Sequence, residues 1–148
     1  MAEKFFKLQE AQELLPFIAP HLEQAREEKQ KMESLDQELA VAAARITALG
    51  GSIPPYAELA RKKTERDQAA ACLKELVSKV LSTGCLIKDL DVGLIDFPSV
   101  LKGQEVYLCW KLGEERIEYY HGLHEGFAGR KLLQSSEPEE PSGPFRVH

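Results

Sequence analysis

Apolar residues along this chain follow two rhythms, a helical one over its first half and a strand-like one after residue 84. Leu15, Ile18, Leu22 and Ala25 step by three or four, and Met32, Leu35, Leu39, Ala42, Ile46 and Leu49 resume the same spacing. A narrow apolar stripe on an otherwise charged segment is the seam of a coiled-coil-like helix. Lys29 falls on that seam between Ala25 and Met32, which predicts a local irregularity in the supercoil. Pro16 and Pro20 each remove a backbone donor, so a kink or break is expected near Pro20, with the main helix running from there to Leu49. Gly50-Gly51 ends it, because glycine takes the left-handed C-terminal conformation freely. After a turn at 50–55, a second helix runs from Pro55 or Tyr56 to Ser82, with Leu59, Ala69, Leu73, Leu76 and Val80 among its apolar positions. Similar lengths and a short linker predict an antiparallel helical hairpin. Lys4–Leu8, ahead of it, reads as a candidate edge strand.

From Gly84 the segments are short and alternate: Cys85–Leu90, Gly93–Phe97, Glu105–Leu112 and Arg116–His121. They are separated by Asp91-Val92-Gly93, Pro98–Gly103 and Gly113-Glu114-Glu115, and together predict an antiparallel meander. Val106, Leu108, Trp110 and Leu112 share one strand face. A tight turn led by Gly113 would put Ile117, Tyr119 and His121 on the face of Leu108 and Trp110. That register is favoured here, because it keeps Glu118 and Lys111 together on the wetter side, over a three-residue loop that would pair the apolar face with Glu118 and Tyr120. The fold class is therefore α+β, a long antiparallel helical hairpin followed by a small antiparallel β-meander. In domains, residues 1–83 are the hairpin, 84–133 a small β subdomain and 134–148 a low-complexity acidic tail.

Charge narrows the function classes. The chain carries 19 basic and 24 acidic residues, net −5, and up to Thr83 the count is 12 basic against 13 acidic. No basic field is present to attract nucleic acid, so none is expected as a partner. The longest apolar runs, Leu14–Pro20 and Leu39–Ala44, fall short of the ~20 residues that span a bilayer, so no membrane partner is expected either. Cys72, Cys85 and Cys109 are odd in number and form no Cys-x-x-Cys pair. That usage, with a start from Met1 to Phe6 unlike a secretory signal, fits a cytoplasmic location.

Chemistry-bearing side chains concentrate in the β segment. The candidate polar cluster is Asp89, Asp96, Glu114, His121 and Arg130. Of these, Asp89, Asp96 and His121 are the candidate ligands of a divalent metal, since carboxylates and imidazole brought together hold such ions. Each also has a structural reading. Asp89 sits at a turn where Asp bonds its own backbone, His121 suits a hydrogen-bonded core position, and Asp96 needs a partner, with Arg130 or Lys88 expected. Gly126, Gly129 and Arg130 form a candidate anion loop without the Gly-Lys-Ser/Thr end of a P-loop. Cys85 and Cys109 read as buried small hydrophobes that could be neighbours in the sheet.

The ordered strings Gly84-Cys85-Leu86-Ile87-Lys88-Asp89, Gly93-Leu94-Ile95-Asp96-Phe97-Pro98 and Leu108-Cys109-Trp110-Lys111-Leu112-Gly113-Glu114 then resemble one family. Tyr120-His121, Gly126-Phe127 and Gly129-Arg130 continue the match, as do Glu10-Ala11 and Leu14-Leu15-Pro16 near the start. The chain up to Leu133 resembles the bacterial domain of unknown function family 2203. Tyr120 departs from the tryptophan expected before the histidine, though it keeps an aromatic ring. The resemblance implies a small bacterial cytoplasmic protein without an assigned activity. It implies that Asp89, Asp96, Trp110, Glu114, His121 and Arg130 are characteristic positions.

Two function classes follow. The first is an oligomerising interaction or scaffold module, a homo-oligomer through the hairpin with a protein partner as a further expectation. The alternative is a metal- or anion-binding enzyme or ligand sensor built on the β-segment cluster, with a divalent metal as its candidate cofactor.

Overall fold

The computed structural model describes residues 4–50 and 55–133, so most of the expected turn at 50–55 and all of the acidic tail 134–148 lie outside the described residues. Two long helices, α1 (Leu8–Leu49) and α2 (Tyr56–Leu81), precede five strands: β1 (Leu86–Asp89), β2 (Leu94–Leu101), β3 (Gln104–Lys111), β4 (Tyr119–Gly122) and β5 (Lys131–Leu132). The strands form one antiparallel sheet in sequential order, as a meander requires. Hairpin and meander are thus both present. β5, which the sequence pattern did not indicate, completes the sheet with a two-residue pairing to β4.

α1 is one continuous helix, so the break that was one of the two outcomes expected near Pro20 does not occur. Both prolines lie on its exposed face, while Leu15, Ile18 and Leu22 on the other side are buried. Each proline withholds one hydrogen bond from the preceding turn, and burial of the opposite face offsets that loss. Gly50 closes α1 in the left-handed conformation, φ 52°, with its amide on Ile46 and Thr47 carbonyls. Lys29, the irregularity on the seam, is an ion-pair bridge: its Nζ lies 2.7 Å from Asp91 in the β1–β2 turn and 2.8 Å from Glu33.

The core lies between the hairpin and one sheet face. Phe6, Ala11, Leu15, Ile18, Leu22, Val80 and Cys85 pack there with Ile95, Phe97, Leu108, Trp110 and Ile117. The loop carrying Ile117 is tied to α1, because its amide donates to Gln12 Oε1 at 2.9 Å.

Two local results correct the strand boundaries. β2 continues through Pro98 to Leu101, so the stretch read as a separator is mostly strand. The hairpin turn is only Lys102-Gly103, with φ of 52° and 81°, the left-handed pair of a type I′ turn. Lys4–Leu8 does not form a strand. Instead Phe6 lies beside β2, where its amide donates to Pro98 O at 2.7 Å. In an antiparallel pair Phe6 O would accept from the amide of residue 98, which proline lacks. Ser99 Oγ supplies the missing donor, 2.6 Å from Phe6 O.

The β3–β4 register also differs from the one favoured. Leu108 pairs with Tyr120 and Tyr107 with His121, because the connection from Leu112 to Glu118 is longer than a tight turn. His121 thus lies on the face of Tyr107 and Cys109, opposite Leu108 and Trp110. No described helix is long and apolar enough to cross a membrane.

Candidate functional site

Counting from the Lys102-Gly103 turn, Asp96 on β2 stands directly opposite Cys109 on β3, and His121 on β4 lies one diagonal step away. All three side chains project from the face that the hairpin does not cover, yet their exposures are 1% for Asp96, 0% for Cys109 and 3% for His121. Their donor atoms lie within 4.8 Å of one another, the one such grouping of His, Cys, Asp or Glu among the described residues.

Hydrogen bonding fixes the histidine. Nδ1 lies 2.9 Å from Gly122 O, and since a carbonyl only accepts, Nδ1 carries a proton and donates it. Nε2 lies 3.1 Å from both oxygens of Asp96, so one proton is shared between ring and carboxylate. Asp96 therefore finds its partner in His121, not in Arg130 or Lys88. Lys88 Nζ lies over the Tyr107 ring, 5.3 Å from its centre. Burial pushes the Cys109 thiol up to about 11, with the Asp96 charge adding to it. At neutral pH this is a thiol, and it lacks the thiolate that nucleophilic catalysis needs.

Glu114 and Arg130 form a second network beside the first. Arg130 Nη2 lies 2.8 Å from both Glu114 oxygens, and the guanidinium sits 3.9 Å from the Tyr119 ring centre and 4.6 Å from that of Phe127. Glu114 Oε1 also accepts from the Lys111 amide, while Glu114 O accepts from the Trp110 indole. Arg130 reaches the carbonyl of Cys109 at 3.5 Å, where the two networks adjoin.

Asp89 stands apart from both. Its carboxylate accepts from the Asp91 and Val92 amides, the self-bonded turn that was the structural reading. In the Gly126–Arg130 loop, the Gly129 and Arg130 amides close a 3₁₀ turn onto Gly126 and Phe127 carbonyls. The anion beside this loop is the protein's own Glu125, bonded to the Gly122 amide at 2.7 Å and to Lys131 at 2.6 Å. Lys131, then the Gly122 amide, hold its carboxyl below the usual range.

Cys109 is the cluster member that sequence reasoning left out. The signal was present in the Lys102-Gly103 turn, because recognising it sets Asp96 against Cys109 by counting. Cys85 is not its neighbour: it packs in the core on the hairpin side, its thiol pushed up by burial.

Fold and site together define a helical hairpin on a five-stranded antiparallel sheet, with a sealed Asp–His–Cys cluster on the far sheet face. The family described as uncharacterized conserved protein (DUF2203) matches residues 4–133, and the chain belongs to it. No curated protein and no solved structure matches the chain.

Proposed function

We propose that the protein is an interaction module whose helical arm pairs with a second copy of itself, and that it is not a catalyst. The observation that carries this reading is the uneven cover of the α1 seam. Ile18, Leu22 and Ala25 are fully buried, but beyond Lys29 the cross-element ion pairs among the described residues join α1 to α2, at Asp36–Arg66 and Glu38–Lys62. Over those last turns, about 30 Å at 1.5 Å per residue, Met32, Leu39, Ala42 and Ile46 are only partly buried. Val41 is 50% and Leu49 60% exposed, and Tyr56 at the start of α2 is 70% exposed. A two-helix arm has too little core to cover its own apolar surface, and a four-helix arrangement would cover it.

Charge placement supports a second copy as the occupant. Glu38 and Arg45 flank Val41 along one stripe of α1. An antiparallel crossing with its two-fold axis between Val41 and Ala42 would set Glu38 of each copy against Arg45 of the other. Against catalysis stands the sealing of the Asp96–Cys109–His121 cluster, since a reacting group must meet its substrate. Free thiols suit a reducing compartment such as the cytoplasm.

Sedimentation velocity over a concentration series tests the surface. Val41→Glu is expected to give monomers with unchanged helix content. Glu38→Lys should weaken association by about tenfold, roughly 1.4 kcal/mol, and Glu38→Lys with Arg45→Glu should restore it. A dimer indifferent to Val41→Glu would overturn this surface.

A further inference from the structure

We infer that Asp96, Cys109 and His121 are the ligands of one structural zinc-type ion that fastens β2, β3 and β4 together. This inference is independent of the arm.

The donor set points to that class of ion. Imidazole nitrogen, thiol sulfur and carboxylate oxygen together suit a borderline-soft dication, whereas magnesium and calcium are held by oxygen alone. The histidine is already oriented as a ligand. Its Nδ1–H is fixed on Gly122 O at 2.9 Å, the outer bond that metal-ligating histidines make, and this aims Nε2 at Asp96. Nε2 stands 3.1 Å from both Asp96 oxygens, close to the separation of two ligands each about 2.0–2.3 Å from zinc. Small outward movements of ring and carboxylate would admit an ion between them. The second Asp96 oxygen is the fourth donor at hand.

Charge balance favours the exchange. Without metal, one proton lies between His121 and Asp96 and another on Cys109, and the three groups sum to zero. With a dication, a carboxylate, a thiolate and a neutral imidazole, the sum is again zero. Two protons pass to solvent for each ion taken up, and the buried site carries no net charge in either state. Its sealing matters too: with ligands at 0–3% exposure there is no open position for a substrate, the mark of a structural metal site.

The test is elemental analysis of the untagged full chain purified without chelator from zinc-supplemented cells, joined to cobalt titration of chelator-treated protein. The inference expects about one zinc per chain. It expects cobalt to give tetrahedral d–d bands with thiolate-to-metal charge transfer, and zinc to raise the thermal unfolding midpoint. Cys109→Ala, which replaces a buried thiol by a small apolar side chain, should stay folded by circular dichroism, lose at least tenfold in bound metal and lose the charge-transfer band. Asp96→Asn should also lose metal, while Cys72→Ala and Cys85→Ala should keep both metal and band. Substoichiometric metal under both loading conditions would overturn the inference, as would full retention in Cys109→Ala or a band that disappears with Cys72→Ala.

Discussion

Ser99 shows how closely single residues fit this fold. Pro98 sits where β1 no longer covers β2, so its missing amide faces Phe6, and the Ser99 hydroxyl bonds Phe6 O in its place. Ser99→Ala leaves that buried carbonyl without a donor and should destabilise the protein by about 1–3 kcal/mol in urea unfolding. The Asp96–His121 pair is more demanding, because truncating one partner leaves a buried polar group alone. His121→Ala in metal-free protein is expected to lose about 3–5 kcal/mol by the same measurement. Gly93 has φ +74°, and a Cβ there would come within 2.5 Å of Leu112 Cβ. Gly93→Ala should therefore lose about 2–4 kcal/mol from left-handed strain and overlap combined. At this scale the sequence exposed the right residues but mispaired several. Asp96 was legible as a buried acid needing a partner, but His121 as that partner was not. Its strand face depends on the parity of the Leu112–Glu118 connection, and a one-residue slip turns every side chain over.

Elements were easier to read than their joints. The seam from Leu15 to Leu49 and the apolar positions of α2 announced the hairpin, because helical periodicity repeats over many turns. The strands were visible for the same reason, as alternation in β3. Three boundaries escaped: the two-residue pairing of β5 is too short to carry a pattern, Pro98 disguised half of β2, and the prolines of α1 looked like breaks. Pro98 is tolerated because its bare nitrogen points away from β3. Pro16 and Pro20 lie on the exposed face of α1, and burial of the opposite face offsets the bonds they withhold. Proline still withholds one bond from α1, so Pro20→Ala should stabilise the protein by about 1 kcal/mol or more, read as a higher denaturation midpoint.

Across the whole molecule, one end is closely packed and the other is an incompletely covered arm. The thiols report on the closed end. Cys85 and Cys109 are buried and Cys72 is partly exposed. Under native conditions a thiol reagent should label Cys72 alone, with the other two labelled only on unfolding, as mass spectrometry of digested protein would count. Burial raises both inner thiols, Cys109 to about 11 from an ordinary 9.0. In the unfolded chain they ionise first, so stability is full below about pH 9 and falls as pH rises toward 11. A denaturation series of metal-free protein across that window should show the decline, and Cys109→Ala should lessen it, leaving the share of Cys85. The arm carries the functional account, and it is tested most directly by the mass of the untagged wild-type chain in solution. Multi-angle light scattering across micromolar concentrations should give twice the 16.6 kDa chain mass or a higher multiple. A mass that stays at one chain over the whole series would contradict the account, leaving the exposed seam without the partner assigned to it.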